Sequence, residues 1–188
     1  MTMTIDNGWL TNVRRSPSPN YDERPAGTGI DLLVIHGISL PPGEFGGGWI
    51  DALFCNSLQH SVHPYFEEIA SLQVSSHLVI YRTGEICQFV PFHMRAWHAG
   101  DSCYEGRTGC NDFSIGIELE GSDNVPYEEF QYHALIDVTR ALMDAYPAIT
   151  PRRITGHSDI APGRKTDPGP AFDWPRFYRS LKSTRHVI

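Results

Sequence analysis

Residues 156–169, GHSDIAPGRKTDPG, hold one histidine, two aspartates, an arginine and a lysine in a run with little capacity for regular structure. Pro162 and Pro168 each lack a backbone donor and fix φ, while Gly156, Gly163 and Gly169 admit left-handed or close-approach backbone. Only Ile160 and Ala161 offer apolar surface to a core. The segment therefore needs an anchor other than hydrophobic burial, a bound ion or a substrate, unless it is a solvated connector. Imidazole with carboxylate is a zinc-binding set, and three protein ligands with one open position define a catalytic zinc site. His157 starts the run; spacing alone does not choose between Asp159 and Asp167 as its partner.

His36 in VIHG ends an apolar run beside glycine, as His157 does in TGHSD. A side chain at a strand terminus is rigidly mounted yet open to solvent, which is where α/β sheets carry reactive groups. A histidine taken singly is more often structural or superficial. That plainer reading holds for His60, His63, His93, His98, His133 and His186, and His77, within a strand pattern, reads as a hydrogen-bonded core histidine.

In SIGIELE the side chains alternate, so Ile115, Ile117 and Leu119 face one way and Ser114, Gly116, Glu118 and Glu120 the other. A carboxylate in such a strand must be hydrated, paired or working, because burying it unpaired is costly. Gly116 leaves room for another group to come close, and Glu118 is the candidate general base. Glu120, at the strand end, reads as solvated. The two acids make a poor glycosidase pair: their separation of roughly 6.5–7 Å suits inversion, but both stand on one rigid strand instead of flanking a bond. Lys165, between His157 and Asp167, could supplement a mild Lewis acid against a developing oxyanion. In RAWHAG, core packing is the ordinary role of Trp97, and an indole flat against a sugar or peptide is the functional one.

The elements that must position these groups interleave. IDLLVIH is a buried-strand pattern bounded by Gly29 and Gly37. WIDALFCNSL and PYFEEIASL read as short helices, the second opened by Pro64, and SSHLVIYRTGEICQFVP as a hairpin about RTGE. FSIGIELEG and RITGH are strands, YEEFQYHALIDVTRALMDAYP is a helix with Leu135, Val138 and Leu142 at helical spacing, and WPRFYRSLK closes the chain as a helix. This order predicts an α/β fold, a central mixed β-sheet flanked by helices. It is read as a single domain over 1–188, with residues 1–29 an extended, turn-rich N-terminal arm packed on it.

The 188 residues carry a net charge of -7, which argues against nucleic acid as the partner. No apolar run approaches the roughly 18 residues of a membrane span, and MTMTIDNGWL lacks the pattern of a signal peptide. Cys55, Cys87, Cys103 and Cys110 show no CxxC pairing and read as reduced thiols in a cytoplasm. No obligate protein partner is evident. HExxH, the mark of a common class of zinc peptidases, does not occur.

LLVIHGISLPPGEFGGGWIDALF, VSSHLVIYRTGEICQFVPF, RAWHAG, CNDFSIGIELEG and GHSDIAPGRKTDPGPAFDW together resemble the type 2 N-acetylmuramoyl-L-alanine amidases. ISLPPGEFGG and DIAPGRKTDPG point to their cytosolic 1,6-anhydro-N-acetylmuramoyl-L-alanine amidase branch. The resemblance implies one zinc ion per chain on His36, His157 and Asp167, Glu118 as general base, and Lys165 as the oxyanion-stabilising cation. The implied fold is the one shared with peptidoglycan recognition proteins. The implied substrate is an anhydro-muropeptide from wall recycling, cut between the lactyl group of anhydromuramic acid and L-alanine, a step that in related bacteria removes a signal for β-lactamase induction. Trp97, His98 and Arg107 are the candidates for substrate contact. Four positions depart from the family pattern: Gly37 stands where asparagine is usual, Gln73 and Gly109 where arginines often are, with Arg107 a substitute two residues away, and Ser158 where cysteine is common. The rival reading is a non-catalytic muropeptide-binding module, as in family members that lack the third metal ligand.

Overall fold

The apolar run beginning at Leu32 becomes an interior strand because both of its faces are covered. The computed structural model of the chain describes residues 3–183; His186 lies outside the described residues. The main sheet contains β1 (Arg14–Arg15), β2 (Leu32–Ile38), β3 (Leu78–Ile80), β4 (Ile86–Gln88), β5 (Ser114–Glu120) and β6 (Ile154–Gly156), in the spatial order β6-β2-β5-β3-β4-β1. β5 runs parallel to β2 and β3, β6 to β2, and β1 to β4, whereas β3 and β4 form an antiparallel hairpin. The helices are α1 (Trp49–Phe54), α2 (Pro64–Glu68), α3 (Glu129–Ala145), α4 (His157–Ile160) and α5 (Trp174–Lys182). The mixed sheet flanked by helices is the architecture expected from the order of elements.

Alternation along the central strands sorts the side chains. Leu33 and Ile35 of β2 pack with Ile115, Ile117 and Leu119 of β5 against Leu135, Val138 and Leu142 of α3 and Phe177 of α5. Each such buried residue contributes about 1.5–3 kcal/mol relative to exposure, so this dry face supplies much of the core. On the opposite face Leu32 and Val34 meet Phe113 and Ile160, and α1 and α2 cover Val79 and Phe89 with Phe54 and Phe66. Polar residues of β2 and β5 are thereby confined to one side.

Gln131 ties α3 to the strand ends: its side chain accepts from Glu128 N at 3.0 Å and donates to Ile80 O and Glu120 O at 3.1 and 2.9 Å. α1 is shorter than its sequence pattern because Asn56 takes a left-handed conformation, φ 56°, just past its end. In the arm, β1 pairs with β4, Leu10 is fully buried, and Arg24 donates to the carbonyls of Phe92, Asn111, Asp112 and Ser114. His77 is buried as expected, with Nδ1 accepting from Gly116 N at 3.0 Å and Nε2 donating to Met94 O at 3.1 Å.

Candidate active site

The ends of the parallel strands bring three ligand atoms together. His36 Nδ1 lies 2.9 Å from His157 Nδ1 and 3.3 Å from Asp167 Oδ2, and the latter two atoms are 3.1 Å apart. His36 is near the end of β2, and His157 follows β6, the neighbouring parallel strand. These three form a potential metal-holding group. Glu118 stands opposite His36 in the parallel register of β5 on β2, with Oε1 3.9 Å from His36 Nδ1.

The loop from 156 to 169 is more ordered internally than its composition suggested. Residues His157–Ile160 make a helical turn, and Asp159 accepts from Gly156 N at 2.9 Å and Thr155 Oγ1 at 2.8 Å. That separates the two aspartates: Asp159 braces the turn and Asp167 reaches the histidines. Ser158 N donates to Asp167 O at 2.9 Å, closing the loop on itself. Arg164 reaches Ala99 O and Asp101 O at 2.5 and 2.7 Å, strapping the loop to the segment after Trp97. The anchor is therefore in part a set of internal hydrogen bonds, beyond any ion.

Proton placement tests whether the triad suits a cation. His157 Nε2 lies 3.2 Å from Ala99 O, a pure acceptor, so Nε2 carries the proton and Nδ1 is a bare lone pair. His36 Nε2 lies 2.9 Å from His98 Nδ1; with the proton on His36 Nε2, His36 Nδ1 is bare as well. Two imidazole lone pairs and a carboxylate oxygen then converge within about 3.3 Å. Such a cluster repels itself unless a cation sits among its members, and two nitrogens with one oxygen suit zinc. Burial holds His36 down to about 4, keeping the ring neutral, as a metal ligand must be. Gly37 N also donates to Asp167 Oδ2 at 3.3 Å.

Glu118 is only 9 % exposed, and its Oε2 has no hydrogen-bond partner. Burial, then the nearby Asp167 charge, raises its carboxyl well above the usual value, while Lys165 opposes the rise. A cleft of about 1060 Å³ opens over these groups, lined also by Trp97, Asn111, Asp123 and Lys165. The indole Nε1 of Trp97 is buried without a partner.

Three residues differ from expectation. Glu120 is buried, not solvated, because Gly46 N and Arg82 N both donate to its carboxylate, at 2.5 and 3.1 Å. Arg107 does not line the cleft: it pairs with Asp31 at 3.0 Å and lies over the Phe113 ring. His98 is in the cleft wall, but both ring nitrogens are engaged within the protein, with His36 and with Ser114 Oγ at 3.1 Å, leaving none for a substrate. Missed in the sequence was Tyr127, whose hydroxyl donates to Pro168 O at 2.9 Å, next to Asp167. Its signal was the pair Gly37 and Gly121, whose missing side chains make room for its ring.

A mixed sheet with a His, His, Asp group at its strand ends and a carboxylate in register beside it defines a class of hydrolase. The chain belongs to the N-acetylmuramoyl-L-alanine amidase family, whose profile matches residues 26–170. It is 62% identical to the 1,6-anhydro-N-acetylmuramyl-L-alanine amidase AmpD of Escherichia coli K12, over 93% of this chain and 95% of that protein. A crystal structure of a selenomethionine AmpD derivative superposes with a TM-score of 0.93 at 59% identity, over 95% of this chain and 99% of that one. The amidase AmiD of E. coli, solved in complex with the substrate anhydro-N-acetylmuramic acid-L-Ala-D-gamma-Glu-L-Lys, gives 0.59 at 30% identity, over 95% of this chain and 65% of that one.

Proposed function

We propose that this protein is a zinc-dependent amidase that hydrolyses the bond between the lactyl group of 1,6-anhydro-N-acetylmuramic acid and L-alanine in muropeptides. The supporting observation is the convergence of bare His36 Nδ1, His157 Nδ1 and Asp167 Oδ2, with Glu118 Oε1 3.9 Å from the first. The whole-length likeness to AmpD and the substrate in the AmiD complex support the choice of substrate.

His36, His157 and Asp167 would hold one zinc ion, which when bound supplies Lewis acidity and lowers the pKa of a bound water toward about 7. The raised pKa of Glu118 suits a base that must also act as an acid. Glu118 takes the proton of the attacking water as the water's oxygen bonds to the lactyl carbonyl carbon. It then delivers that proton to the L-alanine nitrogen as the carbon–nitrogen bond breaks. Lys165, in the cleft, faces the oxyanion as it develops. Trp97, in the cleft wall, offers its indole face to the sugar or peptide. The chain acts as one domain with its arm packed on the sheet. Its free thiols suit a reducing cytoplasm, where removal of such fragments belongs to wall recycling and withdraws an inducer of β-lactamase.

Turnover of anhydro-muropeptide by Glu118→Ala, with its metal content measured alongside, tests this reading. The expected result is one retained zinc and a rate lower by about 10²–10⁴-fold. A variant with full rate removes Glu118 from the chemistry, and a wild-type protein that binds the muropeptide without releasing peptide is a binding module.

A further inference from the structure

Behind His36 a chain of polar contacts runs through His98, in the cleft wall, into the protein. His36 Nε2 meets His98 Nδ1 at 2.9 Å, His98 Nε2 meets Ser114 Oγ at 3.1 Å, and Ser114 Oγ meets Cys110 O at 2.6 Å. All four residues are buried. The direction of the chain is dictated from its far end. Cys110 O is a pure acceptor, so the Ser114 hydroxyl proton points to it. Ser114 Oγ then receives the proton of His98 Nε2, which leaves His98 Nδ1 a lone pair. That lone pair accepts from His36 Nε2–H, and His36 Nδ1 is left bare toward His157 and Asp167.

From this we infer that Ser114 and His98 are positioning residues that set the tautomer of His36 and so determine how tightly the triad holds its metal. The inference rests on the proposed zinc site. Two further features hold the relay in line. Gly116, between Ser114 and Glu118 on β5, has no side chain because a Cβ there would lie 2.5 Å from His98 Cγ and Nδ1. Asn111 Oδ1 accepts from His98 N and Ala99 N at 3.1 and 2.7 Å, fixing the segment that also supplies the acceptor for His157 Nε2. One short segment, 98–99, thereby orients both metal-facing imidazoles, His36 through a side chain and His157 through a carbonyl. Outer partners of this kind typically change metal affinity by about 10–100-fold when removed.

The experiment is a zinc-affinity titration against a competing chelator on the full chain and its Ser114→Ala, His98→Leu and His98→Asn variants, with circular dichroism reporting the fold of each. Ser114→Ala and His98→Leu are expected to bind zinc about 10–100-fold more weakly with the fold retained. His98→Asn, whose amide oxygen can still accept from His36 Nε2, is expected to recover most of that loss. Long-range ¹⁵N spectra of the zinc-free wild type add a readout that needs no variant to fold: His98 is expected as the Nε2–H tautomer. Unchanged zinc affinity in a folded Ser114→Ala, or His98 found as the Nδ1–H tautomer, overturns the relay while leaving the zinc site standing. A wild-type chain that binds no zinc overturns both.

Discussion

The hydroxyl of Tyr127 occupies the space that a side chain on residue 37 would need. A Cβ on Gly37 would lie 2.4 Å from Tyr127 Oη, while that hydroxyl donates to Pro168 O at 2.9 Å. The position following His36 is thus glycine in a chain that places a tyrosine over it. Gly37→Ala is expected to cost about 1–3 kcal/mol by overpacking. Removing the hydroxyl in the same background, Gly37→Ala with Tyr127→Phe, should recover a large part. A double-mutant cycle in urea unfolding checks this; additive losses would mean that the two sites do not compete for one volume.

Lys165 carries the only full positive charge proposed for the oxyanion besides the metal. Lys165→Met keeps the length of the stem and removes the charge, and is expected to lower kcat by about 10²–10³-fold with zinc content unchanged. A fall confined to KM would instead make Lys165 a ground-state binding group.

The convergence of three lone pairs would make the proposed zinc ion a stabilising ligand as well as a catalyst. A saturating metal at one hundred times its Kd adds about 2.7 kcal/mol to the folded state. Chelation should therefore lower the melting temperature, and zinc should restore it. Asp167→Ala should abolish that zinc-dependent rise, which differential scanning calorimetry would show.

His77 predicts a pH dependence of a different origin. Burial, then the Arg24 charge, lowers this imidazole from 6.5 to about 3, so between those values the unfolded chain binds a proton that the folded chain does not. The associated stability is fully present above pH 6.5 and is lost as pH falls toward 3, by up to about 1.4 kcal/mol per pH unit. The ring is fully buried, with Nδ1 accepting from Gly116 N at 3.0 Å and the Arg24 guanidinium 3.2 Å from Nε2. His77→Asn should flatten the slope of stability against pH over that window; an unchanged slope would assign it to other groups.

Much of the architecture was legible because it depends on local pattern. The alternation in SIGIELE put Glu118 and Gly116 on the face opposite Ile117, as observed. The run from Leu32 read as a buried strand because it is covered on both sides. What could not be read depends on contacts distant in sequence. Glu120 looked solvated because the N–H groups that satisfy it come from residues 46 and 82. Arg107 looked available because its partner, Asp31, is 76 residues away. Separation in sequence also hid the relay: Ser114 is an ordinary strand residue until His98, 16 residues earlier, is laid beside Gly116.

Glu118 and His36 are paired residues of adjacent parallel strands, joined through the hydrogen-bonded ladder of β2 and β5. The spacing between the Glu118 carboxylate and the His36 ring is therefore inherited from peptide geometry, which no surface segment can stretch. On the proposed function, chemistry and recognition would rest on separable parts: segments such as 39–43 and 69–75 wall the cleft, whereas Glu118 and His36 are fixed in the sheet.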